Sequence, residues 1–394
     1  MKKELKIGII GSGFAAGFHY DAIRNVKGVP YEVVGVYSPT PQNRDKFAKQ
    51  RGIKSFDDPD ELISGVDLVE VLTPPSSHEQ LCVKAANAGK HIIVEKPFTG
   101  FFGPAGADES WRGDTAPKEE MLAGAIESGK RIVEAVRKNK VLCGYAENWV
   151  YAPAVTKEAE VISASKSQIL WIMGGESHSG SHSPTYGIWR FSGGGAMMGK
   201  ASHPIGCALY LKRLEGQTAR GRAIRPVSVS ARTHAITRLE GFKDLGHLRT
   251  SYTDIEDYSQ LHITFEDGMV ADIFASDIVL GGLYDWMEVF SNNHRCRLNI
   301  STHNCCQLYT PKEEYLKDVY IAEKLGTKQG WSSPSPSEHW MEGYDAEIQD
   351  FVQSIYEGRS PLSNENLGMD ITSVIYAAYL SAEKRGTEVD IPTV

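Results

Sequence analysis

The sequence predicts an α/β protein in two parts: a doubly wound parallel sheet, then an α+β domain with a mostly antiparallel open sheet. Three observations carry this. Residues 1–145 alternate nearly continuous apolar runs with helical stretches, the pattern of a parallel sheet covered on both faces. After about residue 150 the apolar residues recur with period two. The length, 394 residues, exceeds what one ordinary core serves. The expected division is therefore 1–145, a ligand-binding sheet domain, and 146–394, a domain for substrate binding and oligomerisation.

In the first part the predicted strands are Lys6–Ile10, Glu32–Tyr37, Leu68–Leu72, His91–Val94 and Val141–Tyr145. Helical patterns over Ala15–Val26, Pro41–Lys49, Ser77–Ala88 and Glu119–Asn139 separate them. Residues 101–121 break the rhythm; their Gly/Pro content predicts a long functional loop. In the second part, period-two runs lie at 168–173, 227–233, 260–265, 270–274, 286–290 and 307–310, with an Asp267-Gly268 hairpin signal. Helices are expected near 195–214, 344–357 and 366–383, and the Ser/Pro run 332–337 reads as a connector.

Composition narrows the partners. A net charge of −8, with no dense Lys/Arg block, argues against nucleic acid. No apolar run approaches the ~18 residues that span a bilayer, and the start lacks a secretory signal pattern. Six scattered cysteines, two of them adjacent at Cys305-Cys306 and none in a CxxC pair, imply neither a disulfide framework nor structural zinc. Free thiols in a reducing cytoplasm are expected.

Gly11-Ser12-Gly13-Phe14-Ala15-Ala16 follows the first strand and opens the first helix. In that context G-x-G-x-x-A is a dinucleotide fingerprint: the glycines permit a tight turn and close approach, and the helix N-terminus faces the pyrophosphate. This makes the first part a Rossmann domain binding NAD or NADP. The second strand ends in Ser38 rather than a carboxylate that would bond the ribose, and Arg44 follows it, so both dinucleotides stay open. Glu95-Lys96-Pro97 ends a buried strand at the crevice edge. A partly desolvated amine there is able to exchange a proton with a neighbouring hydroxyl.

Taken with Thr73-Pro74-Pro75-Ser76-Ser77-His78, Tyr151-Ala152-Pro153-Ala154 and Gly193-Gly194-Gly195-Ala196 leading to His203, these motifs resemble the Gfo/Idh/MocA (glucose-fructose oxidoreductase/inositol dehydrogenase) family along nearly the whole chain. The resemblance implies a nicotinamide-dependent oxidoreductase acting on a secondary hydroxyl of a sugar, polyol or related ring. It also implies that Thr73, Pro74, His78, Glu95 and Lys96 line the nicotinamide half of the cofactor, and that Lys96 and His203 are catalytic. The family's Asp four residues before the histidine is here Gly199. Lys200, three residues before His203, would share its face on a helix.

Glu147, Trp149, His178, His182, Lys200 and His203, with Lys96, are the candidate substrate contacts. The loop 176–190 offers Tyr186 and Trp189 to stack on a sugar face. His178 and His182 make a weak metal signal, and no metal is expected. Two other functions compete: a glycoside-cleaving enzyme that recycles a tightly bound NAD, and a non-catalytic sensor. The second part's open sheet face leads to the expectation of a homodimer or homotetramer.

Overall fold

The computed structural model describes residues 4–301 and 306–393. Cys305, of the adjacent Cys305-Cys306, lies outside the described residues.

The first sheet contains β1 (Leu5–Ile10), β2 (Tyr31–Tyr37), β3 (Lys54–Phe56), β4 (Leu68–Val71), β5 (His91–Glu95) and β6 (Cys143–Ala146). Its order is β3-β2-β1-β4-β5-β6, all parallel. The helices α1 (Phe14–Ile23), α2 (Pro41–Arg51), α3 (Pro59–Ser64), α4 (His78–Asn87) and α5 (Lys118–Asn139) make the crossovers. Ile7, Ile9, Leu68, Val69, Val71 and Ile92–Val94 are fully buried, as strands covered on both faces must be. The chain reverses direction of winding between β1 and β4, so the crevice beyond their carboxyl ends is the ligand position.

The structure adds β3 and α3 to the sequence reading. Lys54-Ser55-Phe56 is a three-residue edge strand with no apolar run to betray it. The α3 start was signalled by Asp58, whose side chain accepts from the Asp60 N–H, and by Pro59 in the first turn. The long loop is shorter than expected, because α5 begins at Lys118 directly after Pro117, with Glu119 and Glu120 in its first turn. The remaining loop is pinned to the second half of the chain. The Gly113 N–H donates to Asp254 (2.7 Å), the Trp189 indole N–H to the Phe101 carbonyl (3.0 Å), and the Phe101 N–H to the Tyr376 hydroxyl (2.6 Å).

After α6 (Pro153–Ser165), the second sheet takes β7 (Ile169–Ser177), β8 (Pro226–His234), β9 (Tyr258–Phe265), β10 (Val270–Ser276), β11 (Tyr284–Ser291) and β12 (Arg295–Asn299). A small hairpin of β13 (Leu308–Thr310) and β14 (Gly330–Ser332) stands apart, and β15 (Val389–Asp390) closes the large sheet's edge. The large sheet runs β12-β11-β7-β10-β9-β8-β15, with β7 and β10 its one parallel neighbour pair. The Asp267-Gly268 turn joins β9 to β10, Gly268 sitting at φ +81°. Leu261, Ile263, Ala271, Ile273, Met287 and Val289 are fully buried on one face, while Gln260 and His262 on the other are exposed.

The remaining helices are α7 (Trp189–Ser192), α8 (Ser202–Arg220), α9 (Glu338–Met341), α10 (Tyr344–Glu357) and α11 (Glu365–Glu383). α11 is buried along almost its whole length, from Leu367 to Ser381. A helix apolar all round belongs inside, and α11 packs between α5 and β8, joining the two sheets' cores.

Candidate active site

The glycine turn is built for a close visitor. Gly11 sits at φ +123°, where a Cβ would stand 2.2 Å from the Leu72 carbonyl oxygen, so only glycine fits. Gly13 is the N-cap of α1, exposed, with nothing within 4 Å of a Cβ position and no side chain capping the free N–H groups. An open, uncapped N-terminus after a tight turn fits a dinucleotide pyrophosphate. Ala16 is buried against the sheet, as the third fingerprint position requires. Ala15 is half-buried beside it, and Phe14 is 70% exposed, edge-on to Phe18 at 4.6 Å.

Ser12 donates its hydroxyl to Ser38 (2.9 Å), tying the ends of β1 and β2. Arg44 is placed differently from a ribose contact. It is buried, and its guanidinium is held by Ser55 (2.9 Å), Asp45 (3.2 Å) and Asp57. His78 is also fully buried: its ring nitrogens lie 2.8 Å from the Pro97 carbonyl and 2.9 Å from the Thr73 carbonyl. It therefore clamps the β4 and β5 exits together, and burial lowers its basicity. Pro74 is exposed on the first exit, and Thr73 accepts from Ser77 (2.7 Å).

Beneath the Glu95-Lys96-Pro97 corner lies a buried array the sequence reading missed. His19, on α1, stands between Glu70 on β4 (3.3 Å) and Glu95 on β5 (3.2 Å). Burial alone would lower the imidazole, but hydrogen bonds and charge from the two glutamates raise it to about 10. The same contact helps hold Glu95, despite burial, below the usual carboxylate range. Glu95 in turn accepts the Lys96 backbone N–H at 2.7 Å, fixing that corner. Because the folded-state value exceeds the unfolded one, this stabilisation is complete below about pH 6.5 and is lost as the pH rises through about 10. The melting temperature of His19→Gln should fall below wild type by several degrees near pH 6, and the gap should close toward about pH 10 in a thermal-melt series.

Lys96 is half-buried and its Nζ donates to the Gly199 carbonyl at 2.8 Å. That carbonyl is available because the chain from Met197 to Ala201 is π-helical, and Pro204 lacks the N–H that this register would bring to it. Glu256 holds the approach: it accepts from the Gly195 and Met197 N–H groups (3.2 and 2.9 Å) and the Tyr379 hydroxyl (2.8 Å).

The wider π turn also separates Lys200 from His203, correcting the expectation that they share a face. Lys200 is 2% exposed and paired with the buried Asp277 at the end of β10. His203 turns the other way. Its Nδ1 lies 2.6 Å from Glu147 Oε1, its ring stacks on Trp149 (5.5 Å, 19°), and its Nε2 faces Glu176 Oε2 at 3.7 Å. Burial, then the Lys96 charge, pushes His203 down to about 4, while burial raises the Glu147 carboxyl far above its usual range. Both directions favour an uncharged pair, with the Glu147 O–H donating to Nδ1 and the Nε2–H turned toward Glu176.

Glu176 is the second residue the sequence reading did not assign. Burial raises it to about 7, against the lowering effect of His203. Its cross-strand neighbour on β11, Asp285, is raised to about 7 for the same first reason. What fills the place of the missing Asp is a ring: a Cβ on Gly199 would stand 2.9 Å from Tyr186, whose hydroxyl donates to Asp277 (2.9 Å).

The loop 176–190 therefore turns its aromatics inward, against the expectation of sugar stacking. Tyr186 and Trp189 are 9% and 2% exposed, and Trp189 packs on Tyr379 at 4.7 Å. His178 is buried and accepts the Gly180 N–H through Nδ1 (3.0 Å), whereas His182 is exposed. They do not converge with His203. Among the described residues no group of three His, Cys, Asp or Glu is arranged to hold a metal. Nor is any helix among them long and apolar enough to cross a membrane.

Residues 5–112 match the family described as "Oxidoreductase family, NAD-binding Rossmann fold". Glucose-6-phosphate 3-dehydrogenase of Bacillus subtilis is 40% identical over 92 residues, covering 23% of this chain and only 26% of that enzyme. Levoglucosan dehydrogenase of Pseudarthrobacter phenanthrenivorans is 24% identical over 100% of this chain and 99% of its own length. In fold, the chain is similar to GenD2 from gentamicin A biosynthesis, solved with NAD (TM-score 0.79, 19% identity, 100% and 98% covered). It is similar also to scyllo-inositol dehydrogenase of Lactobacillus casei (TM-score 0.71, 17% identity, 100% of both chains). Residues 5–112 thus match the Gfo/Idh/MocA oxidoreductase family in sequence, and the whole length matches these solved structures in fold.

Proposed function

We propose that the protein transfers hydride between a nicotinamide dinucleotide and a secondary hydroxyl of a sugar, polyol or related ring. The observation that carries this is the meeting of Lys96, from the carboxyl edge of the Rossmann sheet, with the π turn that presents His203. Relatives named as dehydrogenases of sugars and inositols support the substrate class.

The bound nicotinamide supplies the hydride acceptor or donor at its C4. The chain's own residues manage the proton. Lys96 Nζ takes the proton of the reacting hydroxyl during oxidation and returns it during reduction. His203 and Glu147 form the onward store: during reduction Nε2 gives up its proton as Glu147 passes its own to Nδ1 across 2.6 Å, and during oxidation the two transfers run in reverse, the proton arriving at the emptied Nε2 as Nδ1 returns its proton to Glu147. Ionised, Glu176 attracts that arriving proton, and the 3.7 Å gap to Nε2 leaves room for a bridging hydroxyl. Arg44 spends its Nε on Asp45 and Ser55 and its Nη2 on Asp57 rather than on a ribose, which supports NAD over NADP. The outer face of the second sheet carries the half-buried Trp171, Phe274, Trp286 and Phe290, which supports assembly into a homodimer or homotetramer.

Sugar and polyol panels run with NAD and with NADP, read by nicotinamide absorbance, test this proposal. Absence of any reduction would contradict it. In the oxidation direction kcat/KM should rise as the pH passes about 7, where Glu176 ionises. Glu176→Gln should lower kcat by about 10- to 100-fold and remove that limb of the pH–rate profile.

A further inference from the structure

Between the β10–β11 connection and the β13–β14 hairpin lies a cavity of about 360 Å³. Ser301, Ser332, Glu323 and Glu338 line it, with Gln307 and Trp331 at its side. Its volume is at the low end for small-ligand sites. Its chemistry is a saccharide's: hydroxyls, carboxylates and an amide facing an aromatic plate. Trp331 is 75% exposed, unusual for the largest apolar side chain, and is propped by Tyr309 at 5.5 Å.

Ser332 Oγ, on the lining, and Asp285 Oδ1, behind Ser301, are buried with no hydrogen-bond partner among the described residues. The cavity is also coupled to the reacting centre. Ser301 donates its hydroxyl to Asp285 Oδ2 (2.6 Å), Asp285 pairs across strands with Glu176, and Glu176 faces His203. On the cavity's other wall, Lys96 is among the charges acting on Glu323.

We propose that this cavity is a second sugar subsite. The substrate is then a disaccharide or other two-ring glycoside, one ring in the Lys96–His203 cleft and the next against Trp331. This rests on the oxidoreductase reading above and adds the length of the substrate to it. The wall supplies the discrimination: a second ring brings hydroxyls to Ser332 and Glu323 that a monosaccharide leaves unbonded.

The test measures kcat and KM with glucose, galactose and mannose beside maltose, cellobiose, lactose and melibiose, for wild type, Trp331→Ala and Trp331→Phe. The best disaccharide should exceed its component monosaccharide by about tenfold or more in kcat/KM. Trp331→Ala should erase that advantage through KM, and Trp331→Phe should restore most of it, with monosaccharide kinetics unchanged within about twofold. Equal kcat/KM for one- and two-ring sugars, or equal losses on both in Trp331→Ala, would overturn the subsite while leaving the oxidoreductase reading intact. Nicotinamide reduction by none of these sugars would instead count against that reading, and the subsite would fall with it.

Discussion

Replacing Lys96 by Met should cut turnover by about a thousandfold while changing dinucleotide affinity by no more than about twofold. The reason is positional. The side chain leaves the dinucleotide sheet at its carboxyl edge and ends 2.8 Å from a carbonyl of the opposite half, away from the glycine turn that receives the pyrophosphate. Met keeps the length and the apolar stem and removes only the proton-bearing group. Steady-state kinetics paired with fluorescence titration of the reduced dinucleotide check both halves. A proportional loss of affinity would make Lys96 a cofactor anchor.

The second large effect is at the histidine pair. His203→Asn should lower kcat by about 100-fold or more, since it removes the imidazole that passes the proton between the cleft and Glu147. Glu147→Gln separates proton storage from orientation. Gln can still donate its amide N–H to Nδ1 and hold the ring against Trp149, but it can neither give nor take up a proton. It should therefore lower kcat by about tenfold or more with KM nearly unchanged, and shift the pH–rate profile. Glu147→Ala removes the buried partner altogether and should also destabilise the fold by about 1–3 kcal/mol, the cost of an unsatisfied buried group. If Gln and Ala prove equally harmless to kcat, the pair is structural.

The parts of this site that were legible in the sequence are those written in local spacing. Gly11 and Gly13 announce a turn at a strand–helix junction, Glu95-Lys96-Pro97 announces a strand exit, and Gly193–Gly195 announces the approach to His203. The partners were not legible, because they are made by the sheets. Glu70 and Glu95 meet His19 only because β4 and β5 lie side by side above α1. Glu176 and Asp285 face each other through a register that no spacing of 109 residues encodes. Lys200 was misplaced for a narrower reason: a helical face was drawn with 3.6 residues per turn, and the chain there winds more widely. Gly199, read as a lost carboxylate, is a site where the Tyr186 ring has taken the space.

In fold, the alternation of apolar runs and helices was enough for a doubly wound parallel sheet, but it missed the polar edge strand β3 and the short helix α3. The parallel pairing of β7 with β10, strands far apart in the chain, required the tertiary structure.

The most direct test of the central claim uses a sugar deuterated at its oxidised carbon, turned over once by the wild-type protein with stoichiometric NAD. The account predicts that the reduced nicotinamide carries the deuterium at C4, that the transfer is slowed by the heavier isotope, and that Lys96→Met with the same dinucleotide load shows neither within the same time. Product that forms without deuterium in the nicotinamide would contradict hydride transfer in this cleft.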